Sequence, residues 1–235
     1  MTPERSTVLP SQEDKTVVVR SMFDDIAPRY EMVNRVMTFG LDARWRRRTV
    51  ASLGLPPGSV VLDLACGTGD LSRTAALNGL RCVGVDLSFG MLHASHGTGP
   101  LVEGDASAMP LRSASFDGLV CGYALRNFTD LPASIEEMGR VVRPGGRIAL
   151  LEVAQPTNPF IRAGHRLWFQ RAVPLIGGLL SDRQAYRYLP ASTVYLPEPS
   201  ELRALLVAAG FSGVNHHLLS GGISQLVTAT RASER

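Results

Sequence analysis

A chain of 235 residues, 45% hydrophobic and 19% charged, holds enough apolar material for one sizeable core, which excludes a disordered or fibrous protein. Its net charge of +3 comes largely from a local cluster, Arg44 with Arg46, Arg47 and Arg48, so charge gives no reason to expect nucleic acid as a partner. Three cysteines, Cys66, Cys82 and Cys121, lie in or beside apolar runs and read as free buried thiols; with no signal-peptide core and no run of about 18 apolar residues, a cytoplasmic protein is expected.

Residues 1–14 mix Pro, Ser, Glu, Asp and Arg and read as a flexible tail, with one domain expected over 15–235. Residues 15–48 are expected to be mostly helical, with apolar side chains at Val18, Met22, Ile26, Val33 and Met37. Residues 59–64 form a β-branched, apolar run, followed by a glycine-rich turn and by 70–77, where Asp70 can start a helix near its positive end. Further strands are expected over 82–86, 116–125, 147–153, 211–218 and 223–230. Strands separated by helices imply an α/β fold with a mainly parallel sheet, and the last two runs, joined through Ser220-Gly221-Gly222, imply an antiparallel C-terminal hairpin. The alternation stops at about 156–197, a segment rich in Arg, aromatics and Pro that reads as an insertion capping the carboxyl edge of the sheet.

Gly67 and Gly69, between strand and helix, allow the backbone to approach a ligand closely. Ser72 stands where the dinucleotide fingerprint has its third glycine, which weakens a nicotinamide or flavin reading. Asp86 closes the second strand about 20 positions on, placed to accept both hydrogen bonds of a ribose diol. Asp63, inside the first strand, can support the loop or a ligand ammonium, and Asp105 before Ala106 can present a carboxylate to an adenine amino group. Taken singly, such features are tight turns and helix caps; together they fit an amino-acid-bearing nucleoside.

The set Asp63, Gly67, Gly69 and Asp86 resembles the class I methyltransferases. That resemblance implies a Rossmann-like seven-stranded sheet and S-adenosyl-L-methionine held by Asp63, Gly67, Thr68, Gly69, Asp86, Leu87, Asp105 and Ala106. No His or Cys spacing points to a metal. A narrower resemblance spans nearly the whole chain. Met22-Phe23-Asp24-Asp25-Ile26-Ala27-Pro28-Arg29-Tyr30 with Asn34, Phe39-Gly40 and Trp45-Arg46, Leu125-Arg126-Asn127-Phe128, the run from Glu136 to Pro144-Gly145-Gly146-Arg147, Leu151-Glu152 with Pro156, Tyr186-Arg187-Tyr188-Leu189 with Ser192 and Pro197, and Ala209-Gly210-Phe211 with Gly221-Gly222-Ile223 are similar to the demethylmenaquinone and polyprenyl benzoquinol C-methyltransferase family. The chain departs from the family pattern at Glu31, usually aspartate, and over 224–228, where a run with His and Gly is usual.

The resemblance implies a lipophilic, polyprenylated quinol as acceptor and transfer of a methyl group to a ring carbon. Arg126 would then attract a phenolate oxygen, directly or through a water, and Asn127 would orient that water or the ring oxygen. Tyr30 would donate to the substrate or shield the methyl from water, and Glu152 would be a proton acceptor. The plainer alternatives are an Arg126 paired with Glu136 or Glu137, Asn127 as a turn residue and Tyr30 as a core aromatic. His216 and His217, adjacent in a strand, read as a solvated edge rather than as bases. In the insertion, Phe160, Ile161, Leu167, Trp168, Phe169, Val173, Leu175 and Ile176 alternate with Arg162, His165, Arg166 and Arg171. Such a stripe serves peripheral contact with the inner face of a membrane, its own packing, or a homodimer surface. Two rival readings are a methyltransferase acting on another small molecule, such as a polyketide or a phospholipid amine, and a non-catalytic partner subunit.

Overall fold

The computed structural model describes residues 10, 14–168, 188 and 191–233. The expected seven-stranded sheet is present, in the order β3-β2-β1-β4-β5-β7-β6. Its strands are β1 (Val60–Leu64), β2 (Arg81–Asp86), β3 (Leu101–Glu103), β4 (Phe116–Gly122), β5 (Val142–Val153), β6 (Phe211–Leu219) and β7 (Ser224–Arg231). The first five pair in parallel, and β7 runs antiparallel to both β5 and β6.

The near-continuous apolar runs reflect burial on both faces, and the period of two sorts them. Leu62, Leu119, Ile148 and Leu150 pack on one side with Ile135 and Met138 of α6 (Leu131–Val141) and Leu202 and Leu206 of α8 (Pro199–Ala208). Val61, Val120, Ala149 and Leu151 pack on the other with Trp45 and Val50 of α3 (Leu41–Ser52) and Leu71 and Ala75 of α4 (Asp70–Leu77). Each such fully buried aliphatic side chain contributes roughly 1.5–3 kcal/mol. All three cysteines are buried and free.

The lead-in is three helices, not one: α1 (Lys15–Ile26), α2 (Tyr30–Met37) and α3. Pro28 lies at the first break, and Gly40, left-handed at φ 73°, makes the second. Two short helices, α5 (Phe89–His93) and α7 (Pro159–Leu167), follow β2 and β5. The strand expected over 116–125 ends at Gly122, because Tyr123 turns left-handed at φ 60° and residues 125–127 form a 3-10 turn. β5 begins earlier than the expected 147, its Pro144-Gly145-Gly146 segment forming the irregularity between Phe116↔Val142 and Gly118↔Arg147. Of the insertion, α7, Tyr188 and residues 191–197 are described, so Phe169, Arg171, Val173, Leu175, Ile176, Tyr186 and Arg187 lie outside the described residues, as does most of the 1–14 tail.

Candidate active site

The strand order reverses between β1 and β4, the position at which open α/β sheets bind ligands beyond their carboxyl ends. A cavity lies there. Asp63 and Leu64 reach it from β1, Asp86 and Leu87 from the end of β2, and Gly104, Asp105 and Ala106 from beyond β3. Gly67 and Thr68 of the loop line it as well.

Gly67 and Gly69 need glycine for different reasons. Both are left-handed, at φ 53° and 87°, but a Cβ on Gly67 would meet only the Met91 sulfur at 4.0 Å. A Cβ on Gly69 would stand 2.5 Å from the Gly97 Cα. Gly69 therefore packs the loop against a neighbouring turn and caps α4, and it does not line the cavity.

Asp63 is buried, and its Oδ2 accepts from the Ser72 amide at 2.8 Å and the Ser72 hydroxyl at 2.7 Å. The residue in the third-glycine position thus holds the strand carboxylate. Asp63 Oδ1 has no partner among the described residues. Loss of solvent pushes the Asp63 pKa up to about 7 and that of Asp86 to about 6. Asp86 accepts from the Gly67 amide through Oδ2 and from the Ser88 amide through Oδ1, both at 2.8 Å. Asp105 is fixed by Ser107, whose amide and hydroxyl donate to Oδ1 at 2.8 and 2.7 Å.

The lead-in helices supply Thr16, Val19, Phe23 and Tyr30 to the same cavity. Phe23 meets Tyr30 edge-on with ring centroids 5.9 Å apart, and burial raises the Tyr30 pKa. α1 is anchored through Asp24, whose Oδ1 accepts from the Ser88 hydroxyl at 2.5 Å and the Gly90 amide at 2.8 Å. Lys15 donates to the Phe128 carbonyl at 2.7 Å, and the Thr16 and Thr129 hydroxyls bond at 2.6 Å. Arg46, also lining the cavity, pairs with Asp42 at 2.9 Å and with Asp70. Asp24, Arg46 and Tyr123 went unassigned in the sequence reading. The first two stood inside quoted motifs, which was the available signal.

Beyond β4, Tyr123, Ala124 and Asn127 line the cavity, and Asn127 Oδ1 accepts from the Tyr188 hydroxyl at 3.3 Å. Arg126 and Glu152 do not line it. Arg126 donates through Nε to the Ser192 hydroxyl at 3.1 Å and through Nη1 to the Tyr123 carbonyl at 2.8 Å, and it pairs with Glu152. The alternative pairing with Glu136 or Glu137 is not made: Glu137 pairs with Arg140 at 2.5 Å. Glu152 Oε2 is buried without a partner among the described residues, and desolvation raises its pKa against the opposing pull of Arg126. Of the sequence-derived candidates, Tyr30, Asp63, Gly67, Thr68, Asp86, Leu87, Asp105, Ala106 and Asn127 meet in one cavity, while Gly69, Arg126 and Glu152 stand behind its walls. His216 and His217 lie exposed on β6, as expected of a solvated edge.

Solved structures share this architecture. They include a methyltransferase from Haloferax volcanii crystallised with the Trm112 activator (TM-score 0.64, 16% identity, covering 90% of this chain and 98% of that one). Another is a methyltransferase from Thermotoga maritima (TM-score 0.64, 18% identity, covering 90% and 99%). Among sequence relatives, a demethylmenaquinone methyltransferase of Roseiflexus sp. is 41% identical over 96% of this chain and 98% of its own length. A ubiquinone/menaquinone biosynthesis C-methyltransferase of Syntrophotalea carbinolica is 39% identical over 91% and 94%. A family model covers residues 9–231, nearly everything from the lead-in helices to the last strand, and the chain belongs to the family that it describes, the ubiE/COQ5 methyltransferases.

Proposed function

We propose that this methyltransferase moves a methyl group from S-adenosyl-L-methionine to a ring carbon of a polyprenylated quinol, demethylmenaquinol before benzoquinols. The observation that carries the reading is one cavity lined by three carboxylates suited to an amino-acid-bearing nucleoside and, on it as well, by Tyr30, Tyr123 and Asn127, which suit a phenolic ring. The names of the relatives support it.

The residues present fit the cofactor. Asp63 Oδ1, a buried acceptor without a donor among the described residues, suits a ligand ammonium; Asp86 suits ribose hydroxyls, and Asp105 with Ala106 suits the adenine. When bound, S-adenosyl-L-methionine supplies a methyl group made electrophilic by its sulfonium.

A ring carbon attacks well only when a neighbouring phenol, of pKa about 10, loses its proton. Tyr30, kept protonated by burial, donates to that oxygen. Asn127 spends its carbonyl on Tyr188 and keeps its amide N–H groups for the same oxygen or for a water. Arg126, held by Tyr123, Ser192 and Glu152, acts as a positioning residue for the Tyr123–Asn127 turn rather than touching the ring. Methylation would form one C–C bond at the ring carbon as the methyl–sulfur bond of the sulfonium breaks; that carbon then gives up the proton it held and the ring oxygen regains its own, so one proton leaves overall. Glu152, with a raised pKa and an open oxygen, takes up that proton by way of water.

No helix among the described residues is long and apolar enough to cross a membrane. The lipophilic acceptor is reached by peripheral contact with the inner membrane face, or by a homodimer surface, through exposed apolar side chains such as Phe39 and Phe160. The decisive experiment incubates purified protein with methyl-labelled S-adenosyl-L-methionine and reduced demethylmenaquinone or a demethoxyquinol analogue. Label on the ring carbon is expected. Transfer to unrelated small molecules alone would overturn the assignment.

A further inference from the structure

We infer that a second, apolar groove adjoining the active-site cavity binds the hydrocarbon chain of the acceptor, with Tyr123 as the gatepost between ring and chain. The inference rests on the quinol reading above and adds a subsite to it.

Tyr123 lines both the cavity described above and this groove, whose other walls include Phe39, Trp45, Ile161, Gly164 and Trp168. The groove is therefore built from the α2–α3 connection, the start of α3, and α7, and it shares Tyr123 with the active-site cavity. Its ends carry left-handed backbones on bulky residues, Tyr123 at φ 60° and Phe39 at φ 52°. Neither conformation is favoured for an aromatic residue, so the surrounding fold holds both rings in place. Phe39 stacks on Trp168 with centroids 4.5 Å apart and is 72% exposed, which puts an aromatic pair at the outer rim.

The chemistry of the lining selects the occupant. Trp45 spends its indole N–H on the Ser220 hydroxyl at 2.9 Å, and Trp168 spends its own on the Met37 carbonyl at 3.0 Å. Thr38, the other hydroxyl in the wall, donates toward the Asn34 carbonyl at 2.9 Å and Asp42 at 3.0 Å. That leaves the Tyr123 hydroxyl, buried and without a hydrogen-bond partner among the described residues, on the residue that the groove shares with the active-site cavity. A ligand lying in the groove thus meets hydrocarbon along its length and one phenol at its inner end. A quinol whose ring oxygen reaches Tyr123 and whose chain runs outward to Phe39 and Trp168 satisfies both.

The structure supplies its own probe and its own plug. The chain has two tryptophans, Trp45 and Trp168, and both line this groove. Gly164 lies in α7, and a Cβ there meets nothing within 4 Å among the described residues. A larger side chain at that position enters open space without forcing the helix.

The test titrates the full-length protein with geranylgeraniol, a chain without a ring, while following tryptophan emission, in wild type and in Gly164→Phe. A saturable emission change is expected in the wild type, at least tenfold weaker in Gly164→Phe. In parallel, the ratio of kcat/KM for a geranylated naphthoquinol to that for its tail-less analogue should fall tenfold or more in the variant. Wild-type emission unmoved by geranylgeraniol, or an unchanged ratio in a variant that binds S-adenosyl-L-methionine normally, overturns the proposal. So does emission that changes with protein concentration before any ligand is added, since a second copy would then fill the groove. Saturable geranylgeraniol binding in a protein that methylates neither quinol supports the groove and refutes the quinol reading, so the two failures are distinct.

Discussion

Asp63 and Asp86 hold protons longer than ordinary carboxylates because burial disfavours the charged form, to about pH 7 and about pH 6. Both folded values exceed the unfolded one of about 4, so between those limits the folded state binds more protons than the unfolded chain. Stability of the ligand-free protein therefore falls as pH rises from about 4 to about 7. A cationic ligand reverses the balance, since it favours the ionised carboxylates. Affinity for S-adenosyl-L-methionine should then rise about tenfold or more between pH 5.5 and 8, with proton release below pH 7, and Asp63→Asn should flatten the profile. Calorimetry in buffers of different ionisation enthalpy checks this; proton uptake, or no dependence on pH, would refute it. The buried Arg126–Glu152 pair gives a second expectation. Arg126→Ala strands a buried carboxylate and should cost about 3–5 kcal/mol, whereas Arg126→Leu combined with Glu152→Leu should recover most of that stability without recovering turnover. Urea unfolding and turnover of the three forms, wild type included, separate the two roles. The cavity carboxylates were legible in sequence because Asp63 lies just before the glycine-rich turn, Asp86 closes a strand and Asp105 follows Gly104. The partner of Arg126 was not, because it depends on β4 lying beside β5, while Glu136 and Glu137 offered themselves a single helix away.

At the scale of elements, the loop and the lead-in helices carry the remaining specificity. Gly69→Ala meets both an unfavourable φ and the Gly97 backbone, while Gly40→Ala, at φ 73°, meets nothing within 4 Å. The first should cost about 3 kcal/mol or more and the second about 1 kcal/mol, as thermal melts of the two variants would show. α1 supplies cavity walls, and its Asp24 carboxylate fastens it to the turn that follows β2. Asp24→Ala removes bonds worth roughly 1.5–3 kcal/mol each, and the expected result is cofactor release about tenfold faster or more, read by stopped flow. An unchanged release rate would mean that α1 does not gate the cofactor. Strand runs were legible from apolar composition, yet the run over 116–125 carried no mark of its break. The reversal falls on Tyr123, a non-glycine residue, and tertiary packing rather than local propensity imposes it.

At the scale of the whole molecule, a mainly parallel sheet whose strand order reverses between β1 and β4 gathers the cavity-lining carboxylates at its carboxyl edge, and the apolar groove shares Tyr123 with that cavity. Near the groove, Phe39 is 72% exposed, and on α7 Phe160 is 86% exposed and Leu167 56%. On the proposed reading, these large apolar side chains presented to water would serve as the contact surface. Insertion of one phenyl ring into the acyl boundary is worth roughly 1.5–3 kcal/mol, about tenfold or more in partitioning. With a net charge of only +3, attraction to anionic lipid should be modest and lost in salt, leaving the aromatic contribution to persist. Co-sedimentation with anionic vesicles should therefore show binding at low salt that weakens at high salt. Phe160→Asp should lower it about tenfold at either salt while leaving methylation of a tail-less quinol in detergent-free solution intact. Absence of vesicle binding even at low salt would remove the membrane from the proposal, and the acceptor would then have to reach the groove from a carrier or from micelles.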